Sequence, residues 1–420
     1  MQGASFEKFR RWSVLSLMNL CIVSVLGVLL RYKIVFSLPA INYNFLLQAH
    51  THFAFSGWIS TAIFTAFVYL LSRSGYPIGK TYTFQFRLAQ ISSFGMLLSF
   101  PFTGYGLLSI FFSILFILFS WWFALQYWKD VSKSDLPFAV KRWVKAALFF
   151  FVLSSLGILL LAYIGSHRIN APDLYYNALY LFLHFQYNGW FSFGVLTLFF
   201  YSAHHFKLRI DENRSRLFFW LLAAACIPAY CLSLLWMNPP VWVFTIAAVA
   251  AFLQLGGLAV FFLIVSRSWG YWTLMQFQEK LLLGLSFIAF MLKLILQALS
   301  VIPALGMLAF GFRSVIIVYL HLVMLVFISF FLVGFFIIEK LFYPGSGVWK
   351  KGLTIFITGI ILNEVILLIQ ALSAMNNGIW SSASFLLFIA ASIIFVGVLL
   401  MLTAQVILKK NGKYQIPVSD

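Results

Sequence analysis

Twelve apolar runs, each long enough to cross a bilayer, constrain this 420-residue chain more than any other feature. They fall at about 12–34, 43–72, 84–106, 107–128, 142–165, 173–202, 215–236, 241–266, 279–301, 313–339, 352–373 and 381–408. A spanning helix needs about 20 residues. Inside hydrocarbon the backbone must satisfy its own polar groups, which leaves helices or closed barrels, and runs of this length read as helices. With 63% hydrophobic and only 9% charged residues, a water-soluble globule is excluded. The expected fold is an all-α polytopic membrane protein, one integral membrane domain over residues 1–420. Its twelve transmembrane helices form three pseudo-repeats of four, 12–130, 142–266 and 277–408.

The net charge of +18 invites a nucleic-acid reading, but the placement of the basic residues speaks against it. With the amino terminus in the cytoplasm, Lys and Arg concentrate at both ends and in the cytoplasmic loops, including 267–280. Only Arg31, Lys33, Arg168 and Arg313 face outward, and Lys293 lies within the membrane. This is the positive-inside pattern. It predicts a bacterial-type inner (plasma) membrane protein with both termini cytoplasmic, partnered by the lipid bilayer and not by nucleic acid. Basic residues precede the first run without a small-residue cleavage site after it, so the first helix is expected to be retained. Cys21, Cys226 and Cys231 lie in apolar runs without CxxC spacing and read as packing residues.

One motif occurs twice. His52-Phe53-Ala54-Phe55-Ser56-Gly57-Trp58 returns as His184-Phe185-Gln186-Tyr187-Asn188-Gly189-Trp190, and His321 stands on the tenth run. The separations are 132 and 137 residues. The second, sixth and tenth runs all descend from outside to inside. Their histidines enter the outer half of the membrane at a common depth, about 12 to 17 Å at 1.5 Å per residue. A buried imidazole must pair, hydrogen-bond or ligate. Repeats commonly place a ligand site at their shared interface. A single metal ion between His52, His184 and His321 is one reading, with copper or zinc suited to three imidazoles; a helix-packing motif is the other. Ser56 and Asn188, four residues on, sit one turn below their histidines and are placed to hydrogen-bond them. Tyr180 and Tyr187 lie nearby, and Gly57 and Gly189 permit close approach of a helix or a ring. His50 precedes His52 by two residues, about 200° of rotation, so the two point to opposite sides. His167, His204 and His205 fall at the water interface.

Charged residues in hydrocarbon are functional candidates by default, with an internal ion pair as the plainer option. Lys293 and Glu364 are therefore expected as a pair or as parts of a proton path, with Gln297 and Asn363 beside them.

Twelve helices in three groups of four, with imidazoles in the outer half of the second, sixth and tenth, resemble subunit I of the haem-copper oxidase and nitric-oxide reductase superfamily. The divergent NnrS-type membrane proteins are similar in architecture. The resemblance implies a b-type haem, with copper as a second cofactor, and electron transfer or the reduction or handling of oxygen or nitric oxide. If the chain turns over, it implies an oxidoreductase served by a quinol or cytochrome donor and small accessory membrane subunits. Carried onto this sequence, His50 or His52 with His321 are the low-spin haem ligands, and His184 matches the ligand on the sixth helix. The chain departs from the family on the seventh helix, which has no histidine, and on the tenth, where His321 stands alone. The alternative class is a twelve-helix secondary transporter using Lys293 and Glu364.

Overall fold

The structure is a computed structural model that describes residues 3–208, 210–267, 275–376, 378 and 380–410. The middle of the expected inner loop 267–280 and the basic carboxyl end beyond 410 lie outside the described residues.

The described residues are helical almost throughout. In order they form α1 (Gly3–Val35), α2 (Tyr43–Phe53), π1 (Ala54–Ser60), α3 (Thr61–Arg73), α4 (Lys80–Thr103), α5 (Leu107–Lys133), α6 (Phe138–Ser166), α7 (Pro172–His184), π2 (Phe185–Phe191) and α8 (Ser192–His205). There follow α9 (Glu212–Cys226), a 3₁₀ helix (Pro228–Met237), α10 (Val241–Arg267), α11 (Phe277–Leu299), α12 (Pro303–Gly311), α13 (Arg313–His321), π3 (Leu322–Ser329), α14 (Phe330–Ile338), α15 (Gly347–Met375) and α16 (Ala383–Lys410). Starts follow local chemistry. The Asn42 side chain accepts from the Asn44 and Phe45 amides to cap α2, and Asp211 does the same for α9. Gln276 and Glu279 form a capping box at α11.

Ten of the described helices are long and apolar enough to cross a membrane, a count resting on length and composition alone. Twelve were expected. The other two runs are helical, over Lys80–Thr103 and across Pro172–His205, but polar side chains dilute them. Gln85, Arg87 and Gln90 do so in the first; Asn177, His184, Gln186 and Asn188 do so in the second. The seventh run is α-helical only to Cys226, because Pro228 cannot supply the next backbone N–H, and it continues as the 3₁₀ helix.

The helices divide into two compact units, Met1–Phe119 with Leu332–Asp420, and Ser120–Phe331. The division falls inside α5 and α14. In the first unit α15 and α16 form a close hairpin, with α1 packed along α16. Glycines set that closeness: a Cβ on Gly352 would stand 2.8 Å from the Met401 nitrogen, and one on Gly359 2.8 Å from the Ile394 nitrogen. Backbones that near each other tolerate no side chain. Just beyond α14, the Tyr69 hydroxyl donates to the buried Glu339 carboxylate at 2.9 Å.

The second unit packs α6 along α7, π2 and α8, lays α9 and the 3₁₀ helix on α10, and sets α11 against π3 and α10. Its aromatic centre is Trp143, fully buried, stacked on Phe200 at 5.4 Å and edge-on to Phe219 at 5.0 Å. Truncating a side chain so enclosed typically costs about 3–5 kcal/mol.

Candidate functional site

The three histidine helices share a local construction. Each is α-helical down to its histidine or one residue beyond, then runs as a π-helix for seven or eight residues, then returns to α. π-helix makes up well under 1% of residues in ordinary proteins and concentrates at functional sites. Here it begins two residues after His52 and one residue after both His184 and His321. A wide turn breaks the regular run of hydrogen bonds, and nearby side chains take up the carbonyls. Asn19 Nδ2 donates to Gly57 O at 2.6 Å and Ser286 Oγ to Phe327 O at 2.6 Å. Hydroxyls of Thr61, Ser192 and Ser329 each donate to the carbonyl five residues earlier, those of Ser56, Tyr187 and Met324. Each helix also ends on a left-handed residue: Gly75 (φ 78°), Lys207 (φ 53°) and Lys340 (φ 58°). The first two lie 23 residues past their histidines and the third 19, one helical turn fewer.

In the second unit one polar line crosses three helices. Lys293 Nζ donates to Gln297 Oε1 at 3.0 Å, and Gln297 Nε2 donates to Asn188 Oδ1 at 3.3 Å. Asn188 Nδ2 then donates to His184 Nδ1 at 3.0 Å, and His184 Nε2–H donates to the Cys226 carbonyl at 2.8 Å. Lys293 is 2% exposed and His184 1% exposed. That carbonyl is open because α9 ends there: the Tyr230 amide, which would serve it in a continuous α-helix, bonds Ile227 O at 3.1 Å. The line has one polarity. An ammonium only donates and a carbonyl only accepts, so the orientation of every group between them is set.

In the first unit His50 and His52 do point to opposite sides. His52 lies on the Phe100 ring (centroids 4.5 Å, 17° between planes), with Nε2 3.2 Å from the Tyr105 hydroxyl. His50 faces α1, where its ring hydrogen-bonds the Val23 backbone. Its Cε1 stands 3.6 Å from where a Gly27 Cβ would sit. The buried His50 Nδ1 has no hydrogen-bond partner among the described residues. Arg31, two turns beyond Val23 on α1, lies within electrostatic reach of both His50 and Glu364.

The remaining expected residues have these places. Lys293 and Glu364, expected as a pair or as parts of a proton path, each bond the amide side chain expected beside them: Lys293 donates to Gln297 Oε1, and Glu364 Oε1 accepts from Asn363 Nδ2 at 3.0 Å. Ser56 turns to the His52 carbonyl (2.8 Å), not to the imidazole, because it is shorter than Asn188. Tyr180 stands among the rings of Tyr176 and Trp236, and Tyr187 against Tyr319. The room at Gly57 and Gly189 is taken by Phe53 and Phe150. His321 is half-buried at the head of π3. Sequence reasoning missed the Cys226 carbonyl, which belongs to the backbone. It also missed the π segments, although a serine stands eight residues after each histidine: Ser60, Ser192 and Ser329.

No three His, Cys, Asp or Glu side chains among the described residues are grouped to hold a metal ion. Both ring nitrogens of His184 are committed to protein partners, so this geometry does not suit it as a ligand. His50 is different, since an orphaned, buried ring nitrogen fits a group waiting for a partner. No protein-family model matches the chain, and no curated protein matches it.

Proposed function

We propose that the chain is a multi-pass membrane haem protein with the twelve-helix, three-repeat arrangement of haem-copper oxidase subunit I, working in electron transfer or in handling oxygen or nitric oxide. The observation that carries this reading is the threefold recurrence of histidine followed by a π segment, on the helices where that resemblance puts the ligands. Among the residues that the resemblance names as haem ligands, His50 is the one whose orphaned ring nitrogen fits an axial ligand of a b-type haem, and bound haem would supply a one-electron iron couple. His184 acts by positioning, through its bonds to Asn188 and Cys226. The copper version, with His52, His184 and His321 around one ion, draws no support from the geometry. A quinol or cytochrome would supply the electrons, and small membrane subunits are expected partners.

The test is an oxidised-minus-reduced visible spectrum of the detergent-purified protein, with iron and copper analysis on the same sample. Soret and α-band changes that disappear in His50→Ala or His321→Ala and persist in His184→Ala support the reading. Absence of iron after expression with haem supplied refutes it.

A transporter is the second reading, favoured by the buried ammonium of Lys293 at the head of a polar line. Uptake of labelled solutes into proteoliposomes separates the two.

A further inference from the structure

The line from Lys293 to the Cys226 carbonyl crosses α11, the α7–π2 junction and the end of α9, and the haem reading uses only its His184 end, as a positioning group. We infer that it is a single-proton site: the positive charge rests either on Lys293 or on His184, and the two positions exclude each other.

The exclusion follows from hydrogen-bond polarity. With Lys293 as an ammonium, Gln297 must turn its oxygen to the amine, so its NH₂ faces Asn188. Asn188 in turn presents its own NH₂ to His184, and Nδ1 can only accept. The imidazole is then neutral, with its proton on Nε2 and directed at the Cys226 carbonyl. For His184 to become an imidazolium, Nδ1 must also carry a proton and donate it. Asn188 must then flip to offer oxygen, and Gln297 must flip after it, bringing an N–H against Lys293. Only an unprotonated amine, with a lone pair, accepts that N–H. Moving the charge therefore means that one proton leaves Nζ, one arrives at Nδ1, and two amides rotate. The total charge is unchanged, and Nε2–H keeps its bond to Cys226.

Among the described residues, neither Lys293 nor His184 takes part in an ion pair. Lys293 lies within electrostatic reach of the His184 ring and the Cys226 thiol. The Tyr187 hydroxyl hydrogen-bonds the Asn188 side chain, and the Tyr230 ring stands 5.9 Å from the His184 ring, both of them neutral phenols. The segments packed most extensively on α11 carry no titratable side chain over 241–266 of α10 or over Leu322–Ser329 of π3. Burying one cation without a carboxylate is already costly, and a second beside it costs more by repulsion. The ligand of this site is thus a proton. The site needs neither haem nor metal, so it stands or falls apart from the proposed function.

The experiment is ¹⁵N NMR of histidine-labelled protein in detergent or bilayer, titrated from acid to alkaline pH, with the His184 signals identified by their loss in His184→Phe. Wild type should show a neutral, Nε2-protonated His184 wherever Lys293 is charged. Lys293→Arg, charged at every pH, should hold that form throughout the titration. Lys293→Met should let His184 ionise with a proton affinity at least about tenfold higher than in wild type, the size of one pH unit. An imidazolium at His184 in Lys293→Arg overturns the inference, and so does the same titration in wild type and Lys293→Met. Gln297→Leu keeps both end groups while cutting the line. With the polarity constraint gone and only the repulsion left, His184 should bind its second proton more tightly than in wild type, and an unchanged titration in that variant also counts against the polarity argument.

Discussion

Ser56 and Asn188 hold the same place in two copies of one motif, yet the structure predicts very different consequences of replacing them. Asn188→Leu removes the bonds to His184 Nδ1 (3.0 Å) and Gln297 Nε2 (3.3 Å), and strands two buried groups in the middle of the polar line. Each stranded group costs about 1–3 kcal/mol. Hydrogen bonds between membrane helices average only about 0.6 kcal/mol in double-mutant cycles, with a maximum near 1.7. A loss of about 2–4 kcal/mol is expected, nearer the lower figure if the unfolded chain in the membrane finds substitute partners. Ser56→Ala removes only a hydroxyl bonded to a carbonyl of its own helix, at 2.8 Å. Its loss should be below about 1 kcal/mol. Unfolding of the purified protein by sodium dodecyl sulfate, followed by tryptophan fluorescence, measures both. Equal losses, or an Asn188→Leu loss below about 1 kcal/mol, would show that the polar line contributes nothing to stability and that its geometry has been misread.

Other expectations are as direct. Gly397→Leu should destabilise by at least about 1–3 kcal/mol, because its side chain would enter the Phe356 backbone, whereas Gly284→Ala, with open space around it, should be neutral or gain up to about 1 kcal/mol; thermal midpoints in detergent compare them. Burial pushes the Glu339 carboxyl up from its ordinary value of 4.5, against the opposing effects of Tyr69 and Arg73. The folded state thus holds this proton more tightly than the unfolded one, a contribution fully present below pH 4.5 and lost as pH rises through the folded value. Glu339→Gln should flatten the fall of thermal midpoint with rising pH; an unchanged slope counts against the burial. Lys207→Gly should be stabilising by up to about 1 kcal/mol, since a left-handed residue other than glycine is strained, while Gly75→Ala at the corresponding helix end should lose a similar amount.

Much of this architecture could be read from the residues. The apolar runs located the helices, and the 200° step between His50 and His52 correctly separated their surroundings. The motif also placed Asn188 beside His184. Lateral neighbours were less legible. Depth along two helices says nothing of which helices touch, and the residues alone could not show that Lys293 and Glu364 each bond an amide side chain of their own helix. The two diluted runs show the converse. A helix that carries polar groups into a packed interior looks less like a membrane span than one facing lipid. The Cys226 carbonyl could be foreseen only by combining Pro228 with the helix end it enforces.

The π segments have one more consequence, for the tolerance of these helices to insertions and deletions. A π turn is how a helix absorbs a surplus residue without unwinding. Deleting one residue from Phe185–Phe191 would therefore leave an unbroken α-helix with Ser192 to His205 in nearly the same orientation relative to His184, whereas deleting one from a regular stretch such as Ser192–His205 would turn everything beyond it by about 100°. In these three helices a change of length is thus best absorbed at the π turn, and what a deletion there removes is the widened backbone beside the histidine rather than the direction of the helix below it.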